Sequence, residues 1–396
     1  MSQFEPASTQ APVEINDEKW SLLQSLTGGA AALCYQCGVC TAVCPWTRLR
    51  GKTTSIRQMM RRAQLGLPDD DGEIWLCTTC EQCEAYCPRG VDITKAIRGL
   101  RYLAWQERQT PAGLPSILWS LYWNNNPWSQ PPSSRSQWAK DLDLPPFDHD
   151  KHEILLHVGC TASYDRRSQK VTRAVVQLFK AAGVSFGYLG EDEPCCGETA
   201  LSLGHQPFFT EMAGQATAVF RDKRVSYLVT VSPHCFDTFK NHYAINQSDD
   251  AGIQVQHYSQ YLCQLVKEGR LKFGGAINKR LTIHDPCILA RRNGETDSTR
   301  FLLMAIPGVE VVEMEHNGVD TICCGGGGGR MFLESEAQER FADLRLREAL
   351  ECQADIMATA CPYCITCLED SVKTTRVDLD VLDLAEIAVR ALVKKN

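Results

Sequence analysis

Long apolar runs are missing from this sequence of 396 residues. No window approaches the roughly 18 consecutive apolar residues that a membrane-spanning helix needs, and the most apolar stretch, 114–123, is followed by three asparagines. An excess of basic charge is also missing, because the formal net charge is −7, which argues against non-specific binding to nucleic acid. Residues 1–20 contain acidic side chains and no apolar core, so they do not resemble a signal peptide. These absences predict a cytoplasmic protein that meets a membrane, if at all, as a peripheral subunit on its cytoplasmic face.

A nucleotide-binding fingerprint is absent as well. The glycine run 325–329 is not followed by the spacing or the acidic residue of a dinucleotide site. The sequence has instead 20 cysteines, a number that would indicate disulfides in a short secreted chain. Here the chain is long and the cysteines recur at the spacings of metal ligands, which must stay reduced to bind iron.

Two cysteine runs share one spacing. The first has Cys34, Cys37, Cys40 and Cys44 before a proline, and the second has Cys77, Cys80, Cys83 and Cys87 before a proline. This spacing is typical of paired cubane [4Fe–4S] clusters, in which the fourth cysteine of each run binds the other cluster. We therefore predict one cluster on Cys34, Cys37, Cys40 and Cys87, and a second on Cys77, Cys80, Cys83 and Cys44. Zinc is the alternative, which two complete runs with matching prolines disfavour.

An internal repeat occupies the C-terminal part of the chain. Its landmarks Cys160, Cys195 and Cys235 recur as Cys287, Cys323 and Cys364, at offsets of 127, 128 and 129 residues. Each copy alternates apolar strand-like and helical segments around a Cys-Cys-Gly, which predicts α/β units with parallel sheets. The cysteines follow strands, and open α/β sheets place their sites at the carboxyl ends of strands.

The two copies differ in their sets of thiols. The second copy offers Cys287, Cys323, Cys324, Cys361 and Cys364, one more thiol than an ordinary cubane has corners. The first copy offers Cys160, Cys195, Cys196 and Cys235. Ser232 stands where the second copy has Cys361, and a serine hydroxyl is a poor iron ligand. The first copy is therefore left with three alternatives: a further cluster, a zinc ion or no metal.

The chain divides into five predicted segments. They are an N-terminal arm at 1–30, a mainly helical two-cluster ferredoxin-like domain at 31–110, a connector rich in proline and tryptophan at 111–150, and the two α/β copies at 151–277 and 278–396. A basic amphipathic helix is expected within 48–62, either as a solvated face or as a dock for an acidic or membrane-surface partner. The tryptophans of the connector are expected to pack between the domains, with a docking surface as the alternative.

Several single residues are candidates for supporting roles. His234, beside Cys235, is a candidate proton donor to a departing thiolate, or a packing residue. Arg330, which closes the glycine run, is a candidate for binding an anionic substrate, or a structural residue. Cys367 lies three residues after Cys364 and could extend the site. The glycine run itself is expected to let backbone approach a bulky cofactor and to leave room for a substrate.

The cysteine pattern resembles a known family. The order Cys…Cys-Cys-Gly…Cys-x-x-Cys, present twice, is similar to the CCG domains of heterodisulfide reductases, and residues 34–45 and 74–80 resemble that family's small ferredoxin-like subunit. The resemblance covers about 30–395 and implies a fusion of the two, as in membrane-associated heterodisulfide reductase and relatives in sulfur metabolism. It implies that the five thiols of the second copy bind a noncubane [4Fe–4S] cluster and act in catalysis. His234 and Arg330, singled out above from their positions in the sequence, are the further catalytic candidates.

This resemblance implies a function as well. The expected protein is an iron–sulfur oxidoreductase subunit that relays electrons through two cubanes to the noncubane cluster, which reduces or forms a disulfide or a related sulfur compound. Electrons would be exchanged with a membrane cytochrome b or quinone-linked subunit, or with a soluble flavoprotein. The alternative is a non-catalytic electron-transfer subunit of a flavin-linked 2-hydroxy-acid or glycerol-3-phosphate dehydrogenase complex.

Overall fold

The N-terminal part of the chain is built from short helices. The structure is a computed structural model, and it describes residues 14–50, 54–69, 72–243 and 252–393. Residues 1–13 of the expected N-terminal arm (1–30) lie outside these ranges. The first six helices are α1 (Asp17–Thr27), α2 (Val39–Val43), α3 (Pro45–Arg50), α4 (Ile56–Gln64), α5 (Gln82–Ala85) and α6 (Ile93–Gln106).

The basic stretch forms two helices, α3 and α4, where one was expected. Helix α4 begins after Ser55, whose hydroxyl accepts a hydrogen bond from the backbone amide of Gln58. Met59, Met60 and Ala63 of this helix are buried, as the amphipathic pattern predicts, and its arginines lie on the other face.

Some tryptophans of the connector (111–150) are packed against the rest of the protein, and others are exposed to solvent. Helix α7 (Leu114–Asn124) buries Leu114 and Leu121, whereas Trp119 and Trp123, one turn apart on another face, are 62% and 69% exposed. Trp138 is buried, and the ring of Trp128 lies 5.6 Å from that of Phe332 in the second copy. Trp128 and Trp138 therefore pack on the α/β copies. The expectation of packing is wrong for the two tryptophans on the outer face of α7.

Each copy of the repeat contains a four-stranded parallel sheet. The strands are β1 (Ile154–His157), β2 (Phe186–Gly187), β3 (Tyr227–Thr230) and β4 (Gln254–His257), then β5 (Lys279–Ile283), β6 (Val309–Val311), β7 (Ile356–Thr359) and β8 (Asp380–Asp383). The orders are β2-β1-β3-β4 and β6-β5-β7-β8. In the central pairs, Leu155 is in register with Leu228, and Leu281 with Ile356. The shared order and register confirm the predicted repeat and the predicted mixture of a helical domain with α/β units.

The two copies share one core. Their helices are α8 (Cys160–Tyr164), α9 (Arg166–Ala181), α10 (Glu198–Ser202), α11 (Gln206–Asp222), α12 (Pro233–Asp237), α13 (Tyr258–Lys267), α14 (Asp297–Met304), α15 (Phe341–Glu351), α16 (Pro362–Thr375) and α17 (Leu384–Arg390). Helix α13 of the first copy packs on α14 of the second, and α17 of the second packs on α9 of the first. This reciprocal packing brings Phe179, Leu262, Leu303 and Ile387 into one apolar cluster. The copies are thus repeats of sequence that fold into a joint core.

Within the described residues, every helix is too short or too polar to cross a membrane.

Candidate metal centres and the adjoining cavity

One group of four thiols lies at the surface of the helical domain. Cys34, Cys37, Cys40 and Cys87 line one small cavity, which we call site 1. Cys40 is buried in α2, whereas Cys37 is exposed to solvent. The last cysteine of the second run thus joins the first three of the first run, which is the predicted exchange.

The other four thiols form a second group, which we call site 2. Burial raises the pKa of the Cys83 thiol, and the neighbouring Cys77 and Cys80 raise it further. Burial likewise raises the pKa of Cys44, again with Cys80 and Cys77 as its neighbours. Ionised thiolates this close together repel one another, and a shared metal cation offsets that repulsion. The four thiols of site 2 are therefore suited to binding metal. The eight residues are grouped as the sequence predicted, and their role as ligands stays a prediction.

Five buried thiols of the second copy lie in contact at the ends of its strands. This repeat-2 site is formed by Cys287, Cys323, Cys324, Cys361 and Cys364, each 8% exposed or less. Cys323 contacts Cys287 and Cys324, and Cys324 contacts Cys364. Cys287 follows β5 and Cys361 follows β7, so both central strands deliver ligands to one edge of the sheet. All are free thiols, and five sulfur donors in contact fit an iron–sulfur cluster larger than a single-metal site.

Site 2 adjoins the repeat-2 site. The Cys80 thiol of site 2 contacts that of Cys323, across the boundary between the helical domain and the second copy. The guanidinium group of Arg291 donates from Nε to the carbonyl oxygen of Cys80 at 2.6 Å and from Nη1 to that of Thr321 at 2.6 Å. One side chain therefore ties the loop of site 2 to the segment that leads into the paired cysteines Cys323 and Cys324.

A second arginine joins three parts of the chain at the same place. Arg292 forms ion pairs with Glu81 of the helical domain at 2.6 Å and with Asp237 of the first copy at 3.0 Å. Burial raises the pKa of Asp237, but His242 and Arg292 outweigh that effect and hold it below its ordinary value. Since Arg292 and Asp237 are both buried, removing one would strand the other charge in a poorly solvated position.

The glycine run lies against the helical domain. A Cβ atom on Gly327 would be 2.4 Å from the carbonyl oxygen of Thr78, and one on Gly328 would be 2.4 Å from that of Cys77. The middle of the run therefore allows close contact between two backbones, rather than between backbone and cofactor as expected. Gly325 and Gly326, at its start, line the cavity described below.

Arg101 fastens this contact from behind. Its fully buried guanidinium group donates to the carbonyl oxygens of Ile74, Cys77, Ser202 and Gly328, at 2.6 to 3.1 Å. Burial lowers the pKa of Arg101 to about 10, although the nearby Cys77 favours its charged form. These four acceptors belong to the helical domain and to both copies of the repeat.

The first copy also gathers its four thiols. Cys160 contacts Cys195, Cys195 contacts Cys196, and Cys196 contacts Cys235, and we call this group the repeat-1 site. Ser232 precedes α12 as Cys361 precedes α16, which confirms that the two positions correspond. Four buried thiols fit a zinc ion or a cluster with four protein ligands.

An arginine from the connector faces these thiols. Nη2 of Arg135 lies 3.5 Å from Sγ of Cys160 and 3.0 Å from a carboxylate oxygen of Glu193. Burial lowers the pKa of Arg135, but electrostatic attraction to Cys160 and Glu193 outweighs burial and raises the pKa above its ordinary value. A fixed cation beside sulfur ligands would offset their charge.

His234 of the first copy reaches the repeat-2 site. Its ring contacts the thiol of Cys361, and Nδ1 lies 3.5 Å from a carboxylate oxygen of Glu198. Burial raises the pKa of Glu198, but His234 outweighs it and brings the value to about 2. Burial lowers the pKa of His234, and Glu198 and Cys361 together raise it well above its ordinary value. His234 therefore contacts a thiol of the repeat-2 site and is not among the residues that line the cavity described below.

His157 and His284 occupy corresponding positions, three residues before Cys160 and Cys287, but they make different contacts. Nε2 of His157 lies 3.1 Å from the carbonyl oxygen of Pro194, whereas the ring of His284 lies within 4.8 Å of the thiols of Cys324 and Cys364. Nδ1 of His284 accepts a hydrogen bond of 3.2 Å from Nε of Arg345. In the second copy, the histidine therefore lies beside two thiols of the repeat-2 site.

A cavity of about 260 Å³ opens beside the repeat-2 site. Its wall includes Cys324, Cys367, Arg330 and Trp46. Cys367 contacts Cys324, so the thiol that lay outside the repeated pattern belongs to this site. The Arg330 guanidinium group lies over the ring of Trp46 at 5.6 Å and donates to Ser335 at 2.6 Å. Arg330 begins a single turn of 3₁₀-helix.

The residues that sequence reasoning missed are the charged ones around the thiols. Arg101, Arg135, Arg292 and Glu198 stand in no motif, and each acquires its role through contacts with residues distant in the chain. Trp46 had a weak signal, because it directly follows the proline of the first cysteine run.

Comparisons with known proteins agree with this architecture. Residues 30–91 match the 4Fe-4S dicluster domain, and residues 154–240 and 281–369 each match the cysteine-rich domain CCG. The chain therefore contains one 4Fe-4S dicluster domain followed by two CCG domains, which confirms the resemblance seen in the sequence.

Similar proteins fall into two groups by name. The chain is 35% identical to "Probable iron-sulfur-binding oxidoreductase FadF" of Bacillus subtilis and 34% identical to "EtfAB:quinone oxidoreductase" of Syntrophomonas wolfei, in each case over 81% of this chain and 47% or 46% of the relative. It spans about half the length of these two relatives. It is also 27% identical to one subunit of the "Dihydromethanophenazine:CoB--CoM heterodisulfide reductase" of Methanosarcina mazei, over 91% of this chain and 93% of the relative.

One solved structure has a related fold. A hypothetical protein from Helicobacter pylori superimposes with a TM-score of 0.55 and 12% identity, over 96% of this chain and 74% of that one. At this identity the likeness concerns the fold alone.

Proposed function

We propose that this chain is an iron–sulfur oxidoreductase subunit that passes electrons between two cubane clusters, at sites 1 and 2, and a noncubane cluster at the repeat-2 site, where a disulfide or related sulfur compound is reduced or formed. The observation that carries the proposal is the cavity beside Cys324, next to the place where site 2 adjoins this group of thiols. Reduction of a disulfide consumes two electrons and two protons and gives two thiols, so the substrate needs both an electron path and an open position beside the cluster.

The chain's own residues supply the path. Cys80 and Cys323 bring site 2 and the repeat-2 site into contact, while Arg291 and Arg292 hold the two loops together. These contacts and hydrogen bonds hold the two proposed redox groups next to one another.

Other residues shape the substrate position. Trp46 and Met331 give the cavity an apolar wall, and Arg330 brings a cation to it. Cys324 and Cys367 contribute two sulfur-bearing side chains to its lining. We assign Arg330 to orienting a polar substrate group, and His234 to a hydrogen bond that supports the ligand Cys361 rather than to direct proton donation in the cavity.

A pair of cysteine variants tests this function. Cys324→Ala removes a proposed ligand at the cavity, and the control Cys263→Ala changes a buried cysteine of α13 that belongs to none of the four groups. The Cys324→Ala protein is expected to lose reduction of a mixed disulfide of two small thiols by reduced viologen, while the control retains it. Iron content should fall by about four per chain in Cys324→Ala only. Unchanged turnover in Cys324→Ala would refute the proposal.

The names of two relatives favour a second candidate. A chain similar to an "EtfAB:quinone oxidoreductase" could relay electrons between an electron-transfer flavoprotein and a quinone-linked partner, with no sulfur substrate of its own. Wild-type protein that accepts electrons from a reduced flavoprotein, but turns over no disulfide in the assay above, would favour this relay. The proposed location, in either case, is the cytoplasmic face of a membrane.

The repeat-1 site is compatible with either function. Its four thiols are enough for zinc or for a further cluster. His234, the chain neighbour of Cys235, contacts Cys361 of the repeat-2 site. Zinc and iron analysis of the purified chain separates these alternatives.

A further inference from the structure

The proposed electron path has one end at the protein surface. Site 2 adjoins the repeat-2 site, so it is the inner of the two sites in the helical domain. Site 1 contains Cys37, which is the exposed one of the eight thiols in the two runs. Electrons exchanged with another protein would therefore cross at site 1.

The surface around site 1 has the composition of a protein interface. Tyr35 is 58% exposed and its hydroxyl group contacts the thiol of Cys37, and Leu33 nearby in the chain is 52% exposed. Tyrosine and arginine are enriched where proteins meet, and large apolar groups in water gain by being covered.

This surface is also positively charged in an acidic chain. Arg57 and Arg89 are both exposed and line the small cavity of site 1. The described residues of that lining include no aspartate or glutamate, although the net charge of the chain is −7. Two cations beside an exposed redox site attract a partner of opposite charge and orient it during encounter.

We propose that the surface formed by Leu33, Tyr35, Cys37, Arg57 and Arg89 is the docking site of an electron-transfer protein with an acidic patch around its own redox centre. The proposal rests on the proposed function, because it assumes a redox cluster at site 1. Arg57 is supplied by α4, so one arginine of the basic helix faces a partner and not solvent alone.

Charge reversal at the two arginines tests the docking site. The probe is a photoreduced acidic flavodoxin, mixed anaerobically with the full chain while cluster bleaching is followed by stopped flow. Arg57→Glu and Arg89→Glu are each expected to slow the bimolecular reaction about tenfold at low ionic strength. Arg166→Glu, an exposed reversal at the start of α9 in the first copy, should react like wild type. The difference between variants should shrink at about 0.5 M salt, where charges are screened within a few ångström.

Several outcomes would overturn the proposal. They are equal rates for all four proteins, a wild-type rate that does not fall with salt, and a faster reaction with a basic donor such as a reduced basic cytochrome. Binding to anionic vesicles that Arg57→Glu and Arg89→Glu abolish would also overturn it, in favour of a membrane surface. Reduction by dithionite distinguishes failure of the docking site from failure of the proposed function. If dithionite bleaches the protein normally and flavodoxin reacts equally fast with all variants, only the docking site is refuted. If dithionite does not bleach the wild-type protein, the proposed function is refuted.

Discussion

The close contact between the glycine run and the loop of site 2 gives a sharp prediction. In Gly327→Ala, the new Cβ atom would lie 2.4 Å from the carbonyl oxygen of Thr78, about 1 Å less than an ordinary contact of this kind. The atom in the way belongs to the backbone and cannot rotate aside. Relief requires the two loops to separate, and overpacking of this kind costs about 1–3 kcal/mol.

A second glycine provides a matched control. Gly214 lies within α11, and a Cβ atom built on it has no heavy atom within 4 Å. Gly214→Ala should therefore stabilise the protein by about 0.5–1 kcal/mol, since alanine is the better helix former. Both substitutions restrict the unfolded chain equally, so the gap between the variants, about 1.5–4 kcal/mol, reports the contact in the folded state.

Anaerobic denaturation, followed by far-ultraviolet circular dichroism, measures the two shifts. Hydrogen exchange should place the change in Gly327→Ala at residues 76–80 and 325–330. Gly327→Ala with a stability equal to or above that of Gly214→Ala would refute the docking of these two backbones.

Two further predictions concern buried side chains. Arg101→Met leaves four carbonyl oxygens without their donor and should lower the free energy of unfolding by about 4 kcal/mol, at about 1 kcal/mol for each acceptor. The control Arg347→Met, at an exposed position of α15, should leave the free energy of unfolding unchanged. Equal stabilities of the two variants would contradict the role of Arg101. Burial lowers the pKa of His257 to about 3 from an ordinary value of 6.5, so the unfolded chain takes up a proton that the folded chain excludes, and stability is lost as the pH falls below 6.5. Between pH 7.5 and 5.5, His257 should lower the free energy of unfolding by about 1.4 kcal/mol. His257→Asn keeps an N-cap acceptor for α13 and should lose this pH dependence, measured by denaturation at both pH values. A variant with the same pH dependence as wild type would contradict the prediction.

The local pattern of the sequence was enough to predict the elements that hold the thiols. The spacings within 34–44 and 77–87 predict two groups with exchanged fourth members, and the structure groups them that way. The offsets between the copies predict two similar sheets, and both sheets have the same strand order. These features depend on residues close in sequence or on repetition, which a single chain displays directly.

Features that depend on contacts between distant segments could not be predicted. No sequence pattern indicates that α13 packs on α14, or that α17 packs on α9. An apolar helix face predicts that the helix is buried on that face, but it does not specify which helix packs against it. Arg292 looks like any surface arginine until the fold brings Glu81 and Asp237 to it. Likewise, Gly327 was interpreted through a cofactor, while the nearest atoms belong to the backbone of Thr78, far earlier in the chain.

The measurement that tests the central claim most directly is metal analysis of anaerobically purified chain, combined with electron paramagnetic resonance before and after addition of a disulfide. Two cubanes and one noncubane cluster predict about 12 iron atoms and about 12 sulfide ions per chain, at about four of each per cluster, and a signal that changes when the disulfide is added. About 8 iron atoms, with a spectrum indifferent to disulfide, would mean that sites 1 and 2 alone hold clusters and would contradict a redox centre beside Cys324.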